Sequence, residues 1–257
     1  MKVSPIHFPY GESGGCGVGL FQQENMSLIR ASAGLGVFGP RDIEVLAEAC
    51  ICQYDAALAK VQAWLGAGVD LEDIYLDGLA AAARLMGEWW LSDRIDFVKV
   101  TIGVHSLQQI LYELSPQFLQ RANQKFNGYR AIFFLAPNSQ HSFGSVMVAE
   151  FFRREGWKVS NVAPESESDV VKELSQQWFE VVGLSVCSDR GWPAMKSLIA
   201  KARQASLNPR VQIMIGGPMV DLNPDLAAVL GADLVGGDAR VSQRLARQSI
   251  KRLELAT

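Results

Sequence analysis

Residues 131–144 read Ala-Ile-Phe-Phe-Leu-Ala-Pro-Asn-Ser-Gln-His-Ser-Phe-Gly, an apolar run followed by a polar loop that carries a histidine. The apolar run 131–136 is typical of a buried strand, and residues 145–152, Ser-Val-Met-Val-Ala-Glu-Phe-Phe, indicate a helix. Open α/β sheets place ligand chemistry at the carboxyl ends of their strands. A loop histidine is often only solvated, so His141 needs support from other parts of the chain.

From Tyr129 onward, short apolar runs alternate with helical patterns. Near-continuous apolar strands that alternate with helices indicate a parallel sheet covered on both faces. The sequence therefore predicts an α/β fold with a doubly wound, five-stranded parallel sheet of the flavodoxin-like or Rossmann-like kind. The predicted strands are 130–136, 157–163, 180–187, 211–216 and 233–236, with a last helix over about 239–253.

The preceding region has apolar residues at spacings of three and four, which is typical of amphipathic helices. Three or four such helices joined by short turns form a small bundle. The predicted helices are 42–49, 56–65, 70–90 opened by Asp70, and 95–114, capped by Ser92-Asp93 and stopped by Pro116. The domains we predict are a flexible glycine-rich arm over 1–39, a helical bundle cap over 40–121 and the α/β domain over 122–257.

Composition excludes several functional classes. The formal charge of −3 gives no general attraction to nucleic acid or to anionic membranes. No apolar stretch approaches the length of a membrane span, and we expect no membrane association and a cytoplasmic protein. The four cysteines (Cys16, Cys50, Cys52 and Cys187) have neither metal-site spacing nor a disulfide pattern. No catalytic set emerges, and we expect a protein that is not an enzyme.

Four short motifs follow one another along the chain, and we expect them at the ends of successive strands: His141-x-x-Gly144, Gly183-Leu184-Ser185, Gly216-Gly217-Pro218 and Gly231-Ala232-Asp233. In that order they resemble the cobalamin-binding domain of methionine synthase and its relatives. The resemblance implies that cobalamin is the cofactor. It also implies that His141 displaces the dimethylbenzimidazole of the cofactor and becomes the lower ligand of the cobalt.

The same resemblance places the displaced nucleotide tail between strand ends that carry serine and glycine. Only residues without a β-carbon let another group approach the backbone closely. The implied cofactor-binding residues in this domain are Ser139, Gln140, His141, Ser142, Phe143, Gly144, Ser185, Val186, Ser188, Gly216, Gly217, Gly236 and Gly237. A plain turn into a helix at Pro224 is the competing interpretation of Gly216-Gly217.

Ser139 marks a departure from the family pattern. The family usually has aspartate two residues before the histidine, where the carboxylate holds the second ring nitrogen of the ligand. A serine hydroxyl supplies no negative charge to the His141 imidazole. This difference argues against a methyl carrier and fits a cofactor that is held for sensing.

The segment Met86–Arg94 resembles the helical cap of light-sensing cobalamin regulators, with Trp90 as the cap contact. The Glu-His pair of the adenosyl-binding photoreceptors is replaced by Val100 and Thr101, so hydroxocobalamin is expected in preference to adenosylcobalamin. His105 shares the helix face of Thr101 and is one candidate for the upper ligand, although its apolar neighbours are typical of a packed core histidine. His7 on the arm is the other candidate.

The motifs around Trp90, over 96–103 and over 140–144 are most similar to the AerR/PpaA antirepressors, a resemblance that covers roughly residues 41–250. It implies a light-responsive transcriptional regulator that acts on a PpsR/CrtJ-type repressor of photosystem genes. A corrinoid carrier of a methyltransferase system and a cobalamin storage or delivery protein remain alternatives. The basic residues of the terminal helix are typical of a solvated face, with weak or indirect DNA association or an acidic partner as alternatives.

Overall fold

The structure is a computed structural model that describes residues 37–120, 125–134, 142–186, 192–223 and 225–256. The expected arm over 1–39 lies almost entirely outside these residues. Within them, a group of helices precedes a five-stranded parallel sheet, as the sequence predicts. None of the described helices is both long enough and apolar enough to span a membrane.

The bundle consists of α1 (Pro40–Cys52), α2 (Tyr54–Gly66), α3 (Leu71–Asp73), α4 (Ala80–Leu91) and α5 (Phe97–Gln120). A π-helical segment, Ile74–Leu79, joins α3 to α4. Asp70 caps this run, because its side chain accepts a hydrogen bond of 2.8 Å from the backbone N–H of Glu72. The core of the bundle is formed by fully buried side chains, among them Leu46, Leu71, Tyr75, Met86, Leu107 and Ile110.

Two predictions about α5 are wrong. Asp96 caps the helix, since its Oδ1 accepts the backbone N–H of Lys99 at 2.8 Å, whereas Ser92 ends α4 and Asp93 has a φ of +56° in the turn. The helix also passes through Pro116 to Gln120. Proline removes one helical hydrogen bond, but burial of Phe118 beyond it offsets that loss.

The sheet has the order β2-β1-β3-β4-β5, and every pair is parallel. The strands are β1 (Arg130–Phe134), β2 (Lys158–Val162), β3 (Val181–Ser185), β4 (Gln212–Gly216) and β5 (Leu234–Val235). Each lies within its predicted range. The helices that follow are α6 (Ser142–Arg154), α7 (Glu167–Gln176), α8 (Trp192–Ala205), α9 (Pro218–Leu222), α10 (Leu226–Leu230) and α11 (Ala239–Leu255).

Helices cover both faces of the sheet, which confirms the doubly wound fold. On one face, Ala131 and Phe133 pack against side chains of α6 and α11. On the other face, Ile132, Val182 and Ile213 pack against α7, α8, α9 and α10. Burial on both faces explains why the three central strands, β1, β3 and β4, read as near-continuous apolar runs.

Helix α6 joins the sheet to the bundle. Its first three turns place Phe143, Val146, Met147 and Phe151 in the bundle core, while Ala149 and Phe152 face the sheet. Phe118 of α5 lies between Tyr75 and Phe151, with ring centroids 4.4 and 5.0 Å away. The helix that follows the His141 segment is therefore shared by both parts of the fold.

Candidate cofactor-binding site

The carboxyl ends of four strands meet at one edge of the sheet. Phe134 pairs with Leu184, Leu184 pairs with Ile215, and Ile215 pairs with Val235, so these residues form one row across β1, β3, β4 and β5. In the next row Ser185 pairs with Gly216, and the N–H of Gly236 donates to the carbonyl of Ile215 at 2.7 Å. The chain leaves β1 toward His141 from this same edge.

Several predicted site residues lie outside the described residues: His7, Ser139, Gln140, His141 and Ser188. Their roles stay predictions. Ser142 is the first residue of α6 and is described by its backbone alone. Phe134 before the segment and Phe143 after it, both buried, fix the positions where the segment leaves the sheet and enters α6.

Gly217 allows the chain after β4 to pack closely against the end of β3. Its φ is +103°, and a Cβ there would lie 2.8 Å from the carbonyl oxygen of Val186 and 3.1 Å from Oγ of Ser185. The N–H of Val186 donates to the carbonyl of Gly216 at 2.8 Å. Gly217 is also the residue before α9, so the competing interpretation of a turn into a helix is correct in kind but not in position: the helix begins at Pro218 rather than at Pro224.

Gly216 and Gly144 leave room beside the backbone. Among the described residues, the nearest atom to a Cβ at Gly216 would be the carbonyl oxygen of Gly236, at an ordinary contact distance of 3.7 Å, and none would lie within 4 Å of a Cβ at Gly144. No described atom therefore blocks the approach of another group at either position. This edge fits the tail of a corrinoid cofactor, which needs backbone that can be approached closely.

The other glycines of the predicted site have different surroundings. A Cβ at Gly236 would lie 2.9 Å from Oγ of Ser242, so Gly236 is required for the packing of α11 on the sheet. Gly237 is exposed beside Val241. Phe143 is 5 % exposed and packs in the bundle core. Their contacts with a cofactor stay predictions.

The Gly231-Ala232-Asp233 motif lies at the opposite edge of the sheet. Asp233 precedes β5, and its Oδ2 accepts the N–H of Ile213 at 2.7 Å and an N–H of Arg203 at 2.7 Å. Gly231 ends α10 with a φ of +80°. The motif therefore joins a helix to the amino end of a strand, and its expected place at the same strand ends as the other motifs is wrong.

The bundle presents an apolar surface at the junction of α4 and α5. Trp90 is 43 % exposed and Phe97 is 58 % exposed, and their rings meet edge to face with centroids 6.4 Å apart. Val98 and Ile102 extend this surface. An exposed aromatic pair of this kind is suited to covering an apolar ligand. Phe97 was not predicted, because its contact with Trp90 depends on the turn between the helices.

The adjacent tryptophan has a different role. Trp89 is 5 % exposed and packs in the bundle core, with the guanidinium of Arg94 above its ring at 4.1 Å. His105 is exposed on α5, so its interpretation as a core histidine is wrong. Thr101 is half-buried, and its Oγ1 donates to the carbonyl of Phe97 at 2.6 Å.

The described residues contain no metal-ligand cluster. Within the described ranges, no three side chains of His, Cys, Asp or Glu come together as metal ligands. Burial raises the pKa of the Cys50 thiol to about 12, so Cys50 is a core residue and does not act as a thiolate.

Comparison with known proteins agrees with this geometry. Residues 129–245 match the family model of the B12-binding domain. Over 173 residues the chain is 31 % identical to an uncharacterized 20.5 kDa protein in the bchF-crtJ intergenic region of Rhodobacter capsulatus, a match that covers 67 % of this chain and 89 % of that protein. The chain belongs to the B12-binding family.

The fold of this B12-binding protein is also found in a solved structure. The monomethylamine corrinoid protein of Methanosarcina barkeri superposes with a TM-score of 0.68 at 19 % identity, covering 81 % of this chain and 98 % of the other. At this identity the likeness shows the fold alone. Helices followed by a Rossmann-like sheet are thus common to both proteins. The match to the B12-binding domain confirms the predicted resemblance to cobalamin-binding proteins.

Proposed function

We propose that this B12-binding protein is a light-responsive regulator that holds hydroxocobalamin and acts on a PpsR/CrtJ-type repressor of photosystem genes. The observation that carries the cofactor assignment is the carboxyl edge of the sheet. There Ser185 ends β3, the neighbour of the strand that leads to His141, and pairs with Gly216 of β4. The regulatory part rests on the relative from the bchF-crtJ intergenic region.

In this proposal His141 supplies the lower ligand. Cobalt in cobalamin offers two axial positions, and imidazole is a suitable ligand for such a metal. Ser185 and the open backbone of Gly216 would line the channel for the nucleotide tail. Ser139 would leave the imidazole without a carboxylate partner, so we expect the protonation of His141 to be less tightly controlled than in a methyl carrier.

The upper face of the cofactor would lie under Trp90 and Phe97. Val100 is 7 % exposed and points into the core, and the hydroxyl of Thr101 donates to the backbone of its own helix. Neither side chain replaces a Glu-His pair, which supports hydroxocobalamin over adenosylcobalamin. His105, which is exposed on the same helix, and His7 are the candidates for the upper ligand.

A change of ligation at His141 would reach the bundle through α6. This helix begins directly after the His141 segment, and its residues Phe143 and Val146 are buried in the bundle core. Cores are close-packed, so a shift at the start of α6 cannot be absorbed locally. A regulator needs two states that differ in such contacts.

The test is the visible spectrum of the purified protein with hydroxocobalamin, in the dark and after illumination. The wild type should retain the cofactor after desalting with a shifted spectrum, and His141→Ala should lose the shift. A further change on illumination that disappears in His7→Ala or His105→Ala identifies the upper ligand. Loss of all corrinoid from the wild type on desalting contradicts the proposal.

A corrinoid carrier for a methyltransferase is the second candidate, because helices and sheet are arranged as in the Methanosarcina barkeri corrinoid protein. The two functions differ in what happens to a methyl group. A carrier loaded with methylcobalamin should transfer its methyl group to a thiol acceptor when a methyltransferase is added. A regulator should instead change its affinity for a PpsR/CrtJ-type repressor on illumination.

A further inference from the structure

The terminal helix α11 has one face on the sheet and one face in solvent. Ala239, Ser242, Ala246 and Ile250 are at most 6 % exposed and form the inner face. The opposite face contains Val241 and Leu245, which are 37 % and 36 % exposed and lie four residues apart. Arg244, Lys251 and Arg252 are exposed on the same side. We call these five residues the outer face of α11.

The basic residues of α11 fall into two groups. Arg240 pairs with Glu72 at 2.6 Å and with Asp73 at 3.5 Å, and Arg247 pairs with Glu155 at 3.5 Å. Those two join the helix to its neighbours. Arg244, Lys251 and Arg252 form no ion pair with any residue that the structure describes. The terminal helix thus keeps three cations on its outer face.

The sign of this charge differs from that of the rest of the protein. Helix α11 contains five basic residues and one acidic residue, a net charge of +4, in a chain whose net charge is −3. The only carboxylate of the helix, Glu254, accepts hydrogen bonds from the hydroxyl of Tyr129 at 3.0 and 3.1 Å. The outer face is therefore a local cationic surface on an acidic protein.

We propose that the outer face of α11 binds an acidic amphipathic segment of a protein partner, with apolar residues against Val241 and Leu245 and carboxylates against Arg244, Lys251 and Arg252. Interleaved apolar and cationic side chains fit such a segment, because apolar contacts and charge complementarity are combined in protein interfaces. A nucleic acid that binds through its phosphates would contact only the three cations and would leave Val241 and Leu245 without a partner. The inference does not depend on the proposed cofactor.

The probe is a fluorescein-labelled amphipathic helical peptide of 20 residues, built from glutamate with leucine along one face, and the readout is fluorescence anisotropy with the full chain. The variant R244E/K251E/R252E should bind at least about tenfold more weakly than the wild type, and binding by the wild type should weaken as salt is raised. The matched control K99E/K158E/K196E has the same net charge but changes lysines exposed elsewhere, and should bind within about twofold of the wild type.

A second variant, V241S/L245S, removes the apolar part while keeping every charge. Both side chains are about one third exposed, so the fold should tolerate it, as circular dichroism can verify. Weaker peptide binding by this variant supports the proposal. The proposal is overturned if the peptide does not bind the wild type, if it binds R244E/K251E/R252E equally well, or if a 20-base-pair duplex binds the same face more tightly than the peptide.

Discussion

Gly216 and Gly217 are neighbours in the chain, yet they meet different physical demands at the sheet edge. Gly217 has a positive φ, and a Cβ there would lie 2.8 Å from the carbonyl oxygen of Val186, whereas the nearest described atom to a Cβ at Gly216 would be at an ordinary contact distance of 3.7 Å. Gly216 is therefore the glycine that a ligand could approach, whereas Gly217 is the glycine that the fold requires. The two functions can be separated by single substitutions.

Gly217→Ala should destabilise the protein by about 1–3 kcal/mol, because alanine would be strained at a φ of +103° and its Cβ would contact the Val186 carbonyl. Gly216→Ala is the matched control and should leave the free energy of unfolding within about 0.5 kcal/mol. Urea denaturation monitored by circular dichroism measures both. Equal stability of the two variants would contradict the assigned role of Gly217.

The two cysteines of α1 should differ in their reaction with iodoacetamide. Cys50 is buried and its pKa is raised to about 12 by desolvation, while Cys52 is exposed. Because the thiolate is the reactive form and burial also blocks access, Cys50 should remain unmodified at pH 8 while Cys52 is alkylated. Peptide mass mapping after timed quenching reports the two sites separately. Comparable modification of both would show that α1 opens readily.

At the scale of elements, α5 shows how tertiary packing decides where a helix ends. Pro116 predicts a stop, but the helix continues so that Phe118 can fill the space between Tyr75 and Phe151. Ser115, beside the proline, donates to the carboxylate of Glu150 on α6, which is itself 3 % exposed and paired with Arg153 at 2.6 Å. The last turn of α5 is therefore held by its contacts with α6.

Phe118→Ala should cost about 3–5 kcal/mol in the free energy of unfolding, since it removes a fully buried ring from the junction between bundle and sheet. Phe97→Ala on the same helix is the control, because that ring is 58 % exposed, and should cost less than about 1 kcal/mol. Thermal and chemical denaturation of both variants test this. A small effect at Phe118 would mean that α5 unravels after Pro116 at little cost.

At the scale of the whole molecule, an ionic cluster joins the bundle to the α/β part. Glu72 of α3 pairs with Arg154 of α6 at 3.0 Å and with Arg240 of α11 at 2.6 Å. Desolvation alone would lower the pKa of Arg240, but the carboxylates of Glu72, Asp73 and Asp238 outweigh it and raise that pKa. One carboxylate thus connects three helices.

Glu72→Gln should destabilise the protein by about 1–3 kcal/mol, because the partly buried Arg154 and Arg240 would lose a shared counter-charge. Glu167→Gln breaks an exposed pair with Lys201 and should cost less than about 1 kcal/mol. Denaturation midpoints at low and high salt compare the two. If the Glu72 variant were as stable as the Glu167 variant, the ionic cluster would contribute little to holding the bundle against the sheet.

Much of this architecture could be predicted from local patterns. Short apolar runs that alternate with amphipathic helical patterns predicted the helices, the parallel sheet and its two covered faces. A strand that is buried on both faces is apolar along its length, and a helix that is buried on one face has apolar residues at spacings of three and four. The motifs around His141, Ser185 and Gly216 likewise indicated cobalamin before any contact was known, and family membership confirms that indication. The predicted domain boundaries and individual ligand roles stay predictions.

Other features were decided only by tertiary contacts. The passage of α5 through Pro116, the division of Trp89 and Trp90 between core and surface, and the position of Asp233 at the far edge of the sheet all depend on residues distant in sequence. The same holds for α11, where Arg240 and Arg247 face carboxylates of other helices while Arg244, Lys251 and Arg252 face solvent. A local pattern indicates which side chains of an element face the core. Which distant residues they pack against or form ion pairs with is decided only when the elements come together.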